Sequence, residues 1–167
     1  KFQKCLIPDE LDSLENYDLI FSNACLHWIP DHESFLPKLM SKLNDGGMLA
    51  VQMPLVQEAM FYKLLNRLIS EGKWKKLSVI HNFHNLTPNE TYDILSRVSN
   101  DITMWDTTYY HVVPSYDSVI EWYKRSGLRP YLEMLSPAEK SEFLSDLLAV
   151  IKREYPVQAD DRVILKM

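Results

Sequence analysis

The sequence predicts an α/β fold with a mostly parallel β-sheet, and three observations carry that prediction. Two apolar runs, at 19–21 and 48–53, flank a segment whose apolar residues recur at helical spacing. A strand–helix–strand unit of this length is typical of a βαβ crossover, in which both strands are parallel. Capping-box patterns at 87–90 and 136–139 predict two further helices. A run rich in β-branched and aromatic residues at 102–113 predicts another strand.

The crossover occupies residues 17–54. Its first strand is continuously apolar at 19–21, which is typical of a strand that is buried on both faces. Asp31 is placed to cap a helix, whose apolar positions are Phe35, Leu36, Leu39, Met40 and Leu43. The run 44–47 contains two glycines and ends that helix, and Pro54 closes the second strand.

The elements after the crossover follow in order. We predict a helix over 57–71 that ends at Gly72, then a loop or irregular helix with Trp74 and Phe83 as anchors. The first capping box begins a helix that runs to about residue 99 and buries Ile94, Leu95 and Val98. Later elements are a strand at 102–113, a helix at 116–126 capped by Ser115, a joint at 128–131, a helix from the second capping box to before Pro156, and a strand at 162–167.

The four strands, at 19–23, 48–53, 102–113 and 162–167, are expected to lie in one sheet, whose last pair contains an antiparallel strand. In open α/β sheets, ligands bind beyond the carboxyl ends of the strands. After the first strand this place is the segment SNACLHW at 22–28, with small residues, an amide, an imidazole and an indole. An indole offers a flat face for stacking. The alternative is a helix-entry loop whose His27 and Trp28 fill the core.

Composition excludes several classes of function. The net charge of −5 provides no large basic field for nucleic acid, and no apolar run approaches a membrane span or forms a signal peptide. Hydrophobic content of 46% is typical of a soluble globular protein. Cys5 and Cys25 form no disulfide framework and fit a reducing cytoplasm. His81 and His84 lie three residues apart without a further ligand nearby, so we predict no metal site.

The motifs of the crossover resemble a known family. YDLIFSNACLHWIPDH followed by LNDGGMLAVQMP is similar to the fourth-strand to fifth-strand segment of class I S-adenosylmethionine-dependent methyltransferases. A closer likeness, to the trans-aconitate methyltransferase family, continues in WDTTYYHVVPS at 105–115 and GLRPYL at 127–132. It covers the chain roughly from Tyr17 to the end. The resemblance implies a partial doubly wound, Rossmann-type sheet in one domain, 1–167, with a helical lid at about 115–156.

The resemblance also implies an activity, the transfer of a methyl group from S-adenosylmethionine to a carboxylate of a small polyacid. A carboxylate is ionised at neutral pH and needs no general base, so we expect no catalytic acid, base or nucleophile. The cofactor-binding residues would be Asn23, Ala24, Leu26 and Trp28. The substrate-binding residues would be Arg129, Tyr109, Tyr110, His111 and His27. Alternatively, Arg129 caps the helix at 116–126, and the strand residues make ordinary packing contacts.

One part of the family pattern is missing from the sequence. The four glycines, Gly46, Gly47, Gly72 and Gly127, form no G-x-G motif, and no acidic residue matches the one that holds the ribose. Adenine recognition also departs from the pattern, because Asp9 is the first acid after the candidate third strand. We therefore expect a C-terminal part of such an enzyme, which binds the cofactor weakly or not at all when isolated.

Three interpretations stay open at this point. The parent protein is a carboxyl methyltransferase, or the chain is a non-catalytic fragment that retains the fold, or the parent methylates another small acceptor. In each case strand 19–23 lacks its neighbour and exposes unpaired backbone groups. We expect the chain to associate with itself or with a partner through that sheet edge.

Overall fold

Two structural units divide the chain in the computed structural model, which describes residues 2–80 and 83–167. The first unit contains residues up to Pro54 and residues 83–106, and the second contains the rest. The helices are α1 His32–Met40, α2 Met60–Ser70, α3 Pro88–Leu95, α4 Tyr116–Lys124, α5 Arg129–Glu133 and α6 Pro137–Glu154. The strands are β1 Tyr17–Asn23, β2 Leu43–Gln52, β3 Tyr110–Val113 and β4 Val163–Lys166.

The first unit is built on β1 and β2, which pair in parallel as the crossover pattern predicts. The register joins Leu19 to Met48 and Asn23 to Gln52. Helix α1 begins after Asp31, whose carboxylate accepts a hydrogen bond from the backbone N–H of Ser34. The predicted crossover is therefore confirmed in its order, its parallel pairing and its N-cap.

The end of α1 differs from the prediction. The helix stops at Met40, and Leu43 belongs to β2 because it pairs with Tyr17. The pairing then shifts over the segment 44–47, where Gly46 has a φ of +76° and Gly47 lies so close to Tyr17 that a Cβ would be 3.0 Å from its carbonyl oxygen. The two glycines thus form a bulge inside the strand rather than a helix stop.

The prediction that the first strand is buried on both faces is wrong. Ile20 packs against the core of the first unit, but Leu19 is 57% exposed and Phe21 is 71% exposed. Successive residues of a strand point to opposite faces, and the elements of this unit cover one face only. The buried core residues are Leu11, Leu26, Ile29, Phe35, Leu36, Leu39 and Ile94.

Helix α3 belongs to the same unit and packs through Ile94. Its predicted capping box is confirmed, because Thr87 and Glu90 exchange side-chain and backbone hydrogen bonds. The helix ends at Leu95, four residues before the predicted end, and Val98 is exposed rather than buried. The segment after Leu95 forms turns, so Val98 does not continue the helical stripe.

In the second unit, α2 and α4 pack against α6, and α4 also packs against β3 of the antiparallel pair β3–β4. Its core includes Phe61, Leu65, Val119, Phe143, Leu147 and Ile151. The caps at Ser115 and Ser136 are confirmed. The predicted joint at 128–131 is wrong, because Arg129 begins the short helix α5, with Pro130 in its first turn.

Two predictions about the later strands are corrected. Of the predicted strand 102–113, only Tyr110–Val113 forms a strand, with Tyr109 adding two backbone hydrogen bonds to Met167, because the partner β4 is four residues long. The four strands also form two separate two-stranded sheets, β1–β2 and β3–β4, instead of one. Among the described residues, none of the helices combines the length and the apolar character that a membrane span requires.

Candidate functional site

The carboxyl ends of β1 and β2 form the first part of the candidate site. Asn23 is the last residue of β1 and is exposed beside Gln52 of β2. The backbone N–H of Ala24 donates to the carbonyl of Gln52 at 3.0 Å, and Ala24 has a φ of +49°. The chain thus turns sharply at a small residue as soon as the ladder ends, which leaves Asn23 and Ala24 open to solvent.

An aromatic cluster follows this turn. The ring of Trp28 lies 4.9 Å from that of His27 and 4.8 Å from that of Phe83, between ring centroids. Trp28 is 47% exposed, whereas His27 is 4% exposed. The imidazole therefore fills the core, as the alternative interpretation expected, whereas the indole is half exposed.

Leu26 and His27 are held in place by a hydrogen bond to His32 and by burial in the core of the first unit. The carbonyl of Leu26 accepts a hydrogen bond from Nε2 of His32 at 2.9 Å, and the Leu26 side chain is buried in the core of the first unit. Burial lowers the pKa of His27, and the neighbouring His32 lowers it further. Within the described residues, Nδ1 of His27 is buried without a hydrogen-bond partner. A neutral imidazole at this position contributes shape rather than charge.

Residues 83–85 complete this part of the site, although the sequence predicts them only as part of a loop. The backbone N–H of His84 donates to the carbonyl of His27 at 2.9 Å. The side-chain amide of Asn85 donates to the carbonyl of Pro54 at 2.6 Å. The one signal in the sequence was the aromatic Phe83 shortly before a capping box. His81, the other histidine of the pair considered as metal ligands, lies outside the described residues.

The strand β3 carries the second group of predicted site residues. Tyr109 pairs with Met167 through two backbone hydrogen bonds. Tyr109 and His111 point to one face of the strand, and Tyr110 points to the other. The ring centroids of Tyr109 and His111 are 6.3 Å apart, and those of His111 and Trp122 are 5.1 Å apart. Trp122 of α4 is 42% exposed and joins this aromatic group.

Arg129 lies at the start of α5 with its side chain exposed. Its Nε–H donates to the carboxylate of Glu133 at 2.8 Å, one turn further along the helix. That carboxylate raises the pKa of the guanidinium, which stays charged. The side-chain bond of Arg129 therefore leads to Glu133 and not to a carbonyl of α4, as the capping alternative required.

The predicted site residues fall into two sets that belong to different units. Asn23, Ala24, Leu26, His27 and Trp28 lie in the first unit. Tyr109, Tyr110, His111 and Arg129 lie in the second. Among the described residues, no group of three or more histidine, cysteine, aspartate or glutamate side chains is arranged to hold a metal ion.

Comparison with known proteins shows which proteins the chain resembles. A protein of Escherichia coli O157:H7 named trans-aconitate 2-methyltransferase is 37% identical over 153 residues, which are 89% of this chain and 58% of that protein. Proteins of the same name from Yersinia pestis (strain Pestoides F) and Yersinia pseudotuberculosis serotype O:3 (strain YPIII) are 35% identical over 151 residues. The chain resembles the trans-aconitate 2-methyltransferases. No family model matches it.

The resemblance inferred from the sequence is thereby confirmed across most of the chain. The chain spans less than two thirds of the length of these three trans-aconitate 2-methyltransferases, namely 58% of each. Of the four residues that the resemblance assigned to the cofactor, Asn23, Ala24 and Trp28 are exposed and Leu26 is buried. Leu26 can therefore act on a ligand only through its backbone or by holding the loop.

Proposed function

We propose that this chain is part of an S-adenosylmethionine-dependent methyltransferase that methylates a carboxylate of a small polyacid such as trans-aconitate. The observation that carries the proposal is the 37% identity to a trans-aconitate 2-methyltransferase over 89% of the chain. The fold supports it, because a parallel strand pair ends in a loop with an amide and a half-exposed indole. Such ends are where open α/β sheets bind ligands.

S-adenosylmethionine would supply a sulfonium-bound methyl group that is already reactive. The residues present fit one wall of its site. The indole of Trp28, supported by Phe83, offers a flat surface of the kind on which an adenine ring stacks. Ala24 leaves room for backbone approach, and Asn23 offers an amide donor and acceptor. The sequence contains no glycine-rich G-x-G loop for the methionine part, so we propose weak or absent binding by the isolated chain.

On the acceptor side we propose that Arg129 binds a substrate carboxylate. Its Nε–H is bonded to Glu133, which orients the guanidinium and leaves the two terminal nitrogens as further donors. Tyr109 and His111 share one face of β3 and offer a hydroxyl and an imidazole to the same polyacid. Tyr110 points to the opposite face, so in our proposal it contacts a different part of the ligand or none. In the first unit, we propose that His27, buried and neutral, helps to shape the loop after β1.

The chemistry asks the protein for position rather than for proton transfer. A carboxylate nucleophile needs no base at neutral pH. Holding an acceptor oxygen in line with the methyl carbon, with water excluded, is enough to lower the barrier substantially. Charged hydrogen bonds from a fixed guanidinium suit this task, because they fix both the location and the orientation of a carboxylate.

A second candidate function is a non-catalytic, fold-retaining fragment. The observation that favours it is the pair of exposed sheet faces, with Leu19 and Phe21 in the first unit and Tyr110 and Val112 in the second. A third candidate is a methyltransferase for a different small acceptor, since sites vary more readily than folds.

We also propose self-association through the open edge of β1, and a cytoplasmic location, which the free thiols of Cys5 and Cys25 support.

The deciding experiment uses the complete protein that we propose, with S-adenosylmethionine and trans-aconitate, and detects the methyl ester by mass spectrometry. Turnover of trans-aconitate but not of monocarboxylates supports the polyacid methyltransferase. Turnover of another acid alone selects the third candidate. No methylation of any acid by the complete protein, together with no cofactor binding by calorimetry, contradicts both methyltransferase candidates and leaves the non-catalytic one. The 167-residue chain serves as the comparison, and micromolar cofactor affinity in it would contradict our proposal of weak binding.

A further inference from the structure

The aromatic ring of Phe83 supports the indole of Trp28 from one side. The Phe83 ring lies 4.8 Å from that of Trp28 and 5.6 Å from that of His27, between centroids, and the last pair is stacked. His27 is buried, so it gives Phe83 a fixed surface. The exposed Trp28 side chain is therefore held by two rings, one from its own loop and one from a segment that is distant in sequence.

The two residues after Phe83 hold the backbone of the same region. The His84 backbone N–H donates to the carbonyl of His27, at 2.9 Å, in the loop that follows β1. The Asn85 side-chain amide donates to the carbonyl of Pro54, at 2.6 Å, just beyond β2. Three consecutive residues thus contact the continuations of both parallel strands.

The loop that they hold has little local structure to fix it. Residues Leu26–Trp28 form a single 3-10 turn, and Cys25 before it makes no side-chain capping bond. Ala24 has a φ of +49°, which is costly for a residue other than glycine. Short 3-10 turns are weak by themselves. The contacts from residues 83–85 therefore supply order that the loop sequence lacks.

The segment 83–85 is itself anchored from the other side. Two residues later, Thr87 begins α3 with a capping box to Glu90. Helix α3 is fixed to the core of the first unit through the buried Ile94. The short distance along the chain between this helix start and Asn85 limits how far residues 83–85 can move.

We propose that Phe83, His84 and Asn85 form a clasp, a set of positioning residues that holds the loop after β1 in its ligand-binding shape. The clasp fixes the orientation of the Trp28 indole and joins that loop to the end of β2. Its effect on cofactor affinity rests on the function proposed above. Its effect on the loop does not, because the loop contacts exist in the chain alone.

The test of the clasp labels the 167-residue chain with 5-fluorotryptophan and records fluorine NMR. The four tryptophans give four signals, and Trp28→Phe assigns the one of interest. Phe83→Leu removes the ring, Phe83→Tyr keeps it, and Asn85→Ala removes the amide donor. Asn100→Ala, at an exposed asparagine of the same unit, is the matched control.

We expect Phe83→Leu to shift the Trp28 signal by more than its linewidth while the other three signals stay in place. Phe83→Tyr keeps the ring and should leave the Trp28 signal at its wild-type position. If the shift came from a general loss of stability, the ring at position 83 would not decide it. Asn85→Ala should speed hydrogen exchange at the His84 amide by about fivefold or more, the factor for one ordinary hydrogen bond, and Asn100→Ala should leave it unchanged. An unmoved Trp28 signal in Phe83→Leu, or unchanged exchange in Asn85→Ala, would overturn the clasp.

A second measurement uses the complete methyltransferase and separates the two proposals. Asn85→Ala should weaken S-adenosylmethionine binding about fivefold and leave the KM for the acceptor unchanged. Equal cofactor affinity in Asn85→Ala and wild type would overturn the positioning role. If the wild-type protein itself binds no cofactor, the proposed function fails, and the fluorine NMR result still decides whether the clasp exists.

Discussion

The two β-sheets of this chain have the same number of strands but differ in how deeply they are buried. In β3–β4 the inward residues Val113, Val163 and Leu165 are at most 7% exposed. In β1–β2 the inward Ile20 and Leu49 are only partly buried. Each sheet packs directly against one helix, α4 against β3 and α1 against β2, but the core of the second unit also contains buried residues of α2 and α6. The burial of a strand therefore depends on the helices available to it, not on its own apolar content.

The largest expected effect tests this difference directly. Phe143→Ala in the second unit, where the ring is fully buried and packs edge-on against Trp74, should lower the free energy of unfolding by about 3–5 kcal/mol. Phe21→Ala in the first unit removes the same ring from a position that is 71% exposed. It should cost less than about 1 kcal/mol. Urea unfolding of both variants measures the comparison. Equal losses that grow with protein concentration would mean that association covers Phe21.

The next effect tests the proposed substrate-binding role of Arg129 in the complete methyltransferase that we propose. Arg129→Lys keeps the charge and loses the planar fork, so methyl transfer should fall about tenfold to a hundredfold, as expected for charged hydrogen bonds worth roughly 1.5–3 kcal/mol. Cofactor affinity should hardly change, because in our proposal Arg129 binds the acceptor and not the cofactor. Acceptor kinetics and melting temperature are measured on the same variant. Normal kinetics with a lower melting temperature would remove Arg129 from the site.

A smaller effect is expected at a tight contact in the second unit. A Cβ at Gly127 would overlap the ring of Tyr62, whose Cζ lies 2.8 Å from the position that it would take. Gly127→Ala should therefore lower the free energy of unfolding by roughly 1–3 kcal/mol, the usual cost of overpacking. The control is Gly72→Ala, where the nearest atom is a backbone oxygen at 3.4 Å. Thermal melts of the two variants that coincide would show that Tyr62 moves aside without cost.

The smallest effect is a difference in pH response. Burial lowers the pKa of His27 in the folded state, so the unfolded chain binds the extra proton first as the pH falls. Above about pH 6.5 the free energy of unfolding of the first unit should include the full contribution of His27. That contribution should be lost as the pH falls through the lowered pKa of the folded state. In the second unit, Lys76 and Ser136 lower the pKa of Glu139 to about 2. That contribution is complete above the unfolded value, near 4.3, and is lost only as the pH falls toward 2.

Residue-specific hydrogen exchange between pH 7 and 4 measures this response. Protection in the first unit should weaken before protection in the second. His27→Phe should flatten the response of the first unit, because it removes the titrating group and keeps an aromatic ring. A parallel loss in both units, or an unchanged response in His27→Phe, would contradict the assignment to His27.

The sequence predicted local features of the fold better than its long-range pairing. Caps at Asp31, Thr87, Ser115 and Ser136 were found because a capping bond spans only three residues. The extent of β3 was overestimated, since a strand lasts only as long as its partner, and β4 lies about fifty residues away. In the candidate site, the loop after β1 was found from the strand-end rule. Phe83 was predicted only as an anchor of a loop, and the contacts of residues 83–85 with the loop after β1 were missed, because they link segments that no periodicity connects.

The hydrogen bond between Asn85 and Pro54 also has a consequence for how the sequence can vary. It closes a polymer loop that contains α2, because Pro54 precedes this helix and Asn85 follows it. The entropy of closing such a loop rises only with the logarithm of its length, so doubling the loop costs about 0.6 kcal/mol. Insertions at the exposed turn after α2, between Glu71 and Gly72, should therefore be thermodynamically cheap. Homologous proteins can therefore carry a longer segment between Pro54 and Asn85 while the geometry of the strand ends stays the same.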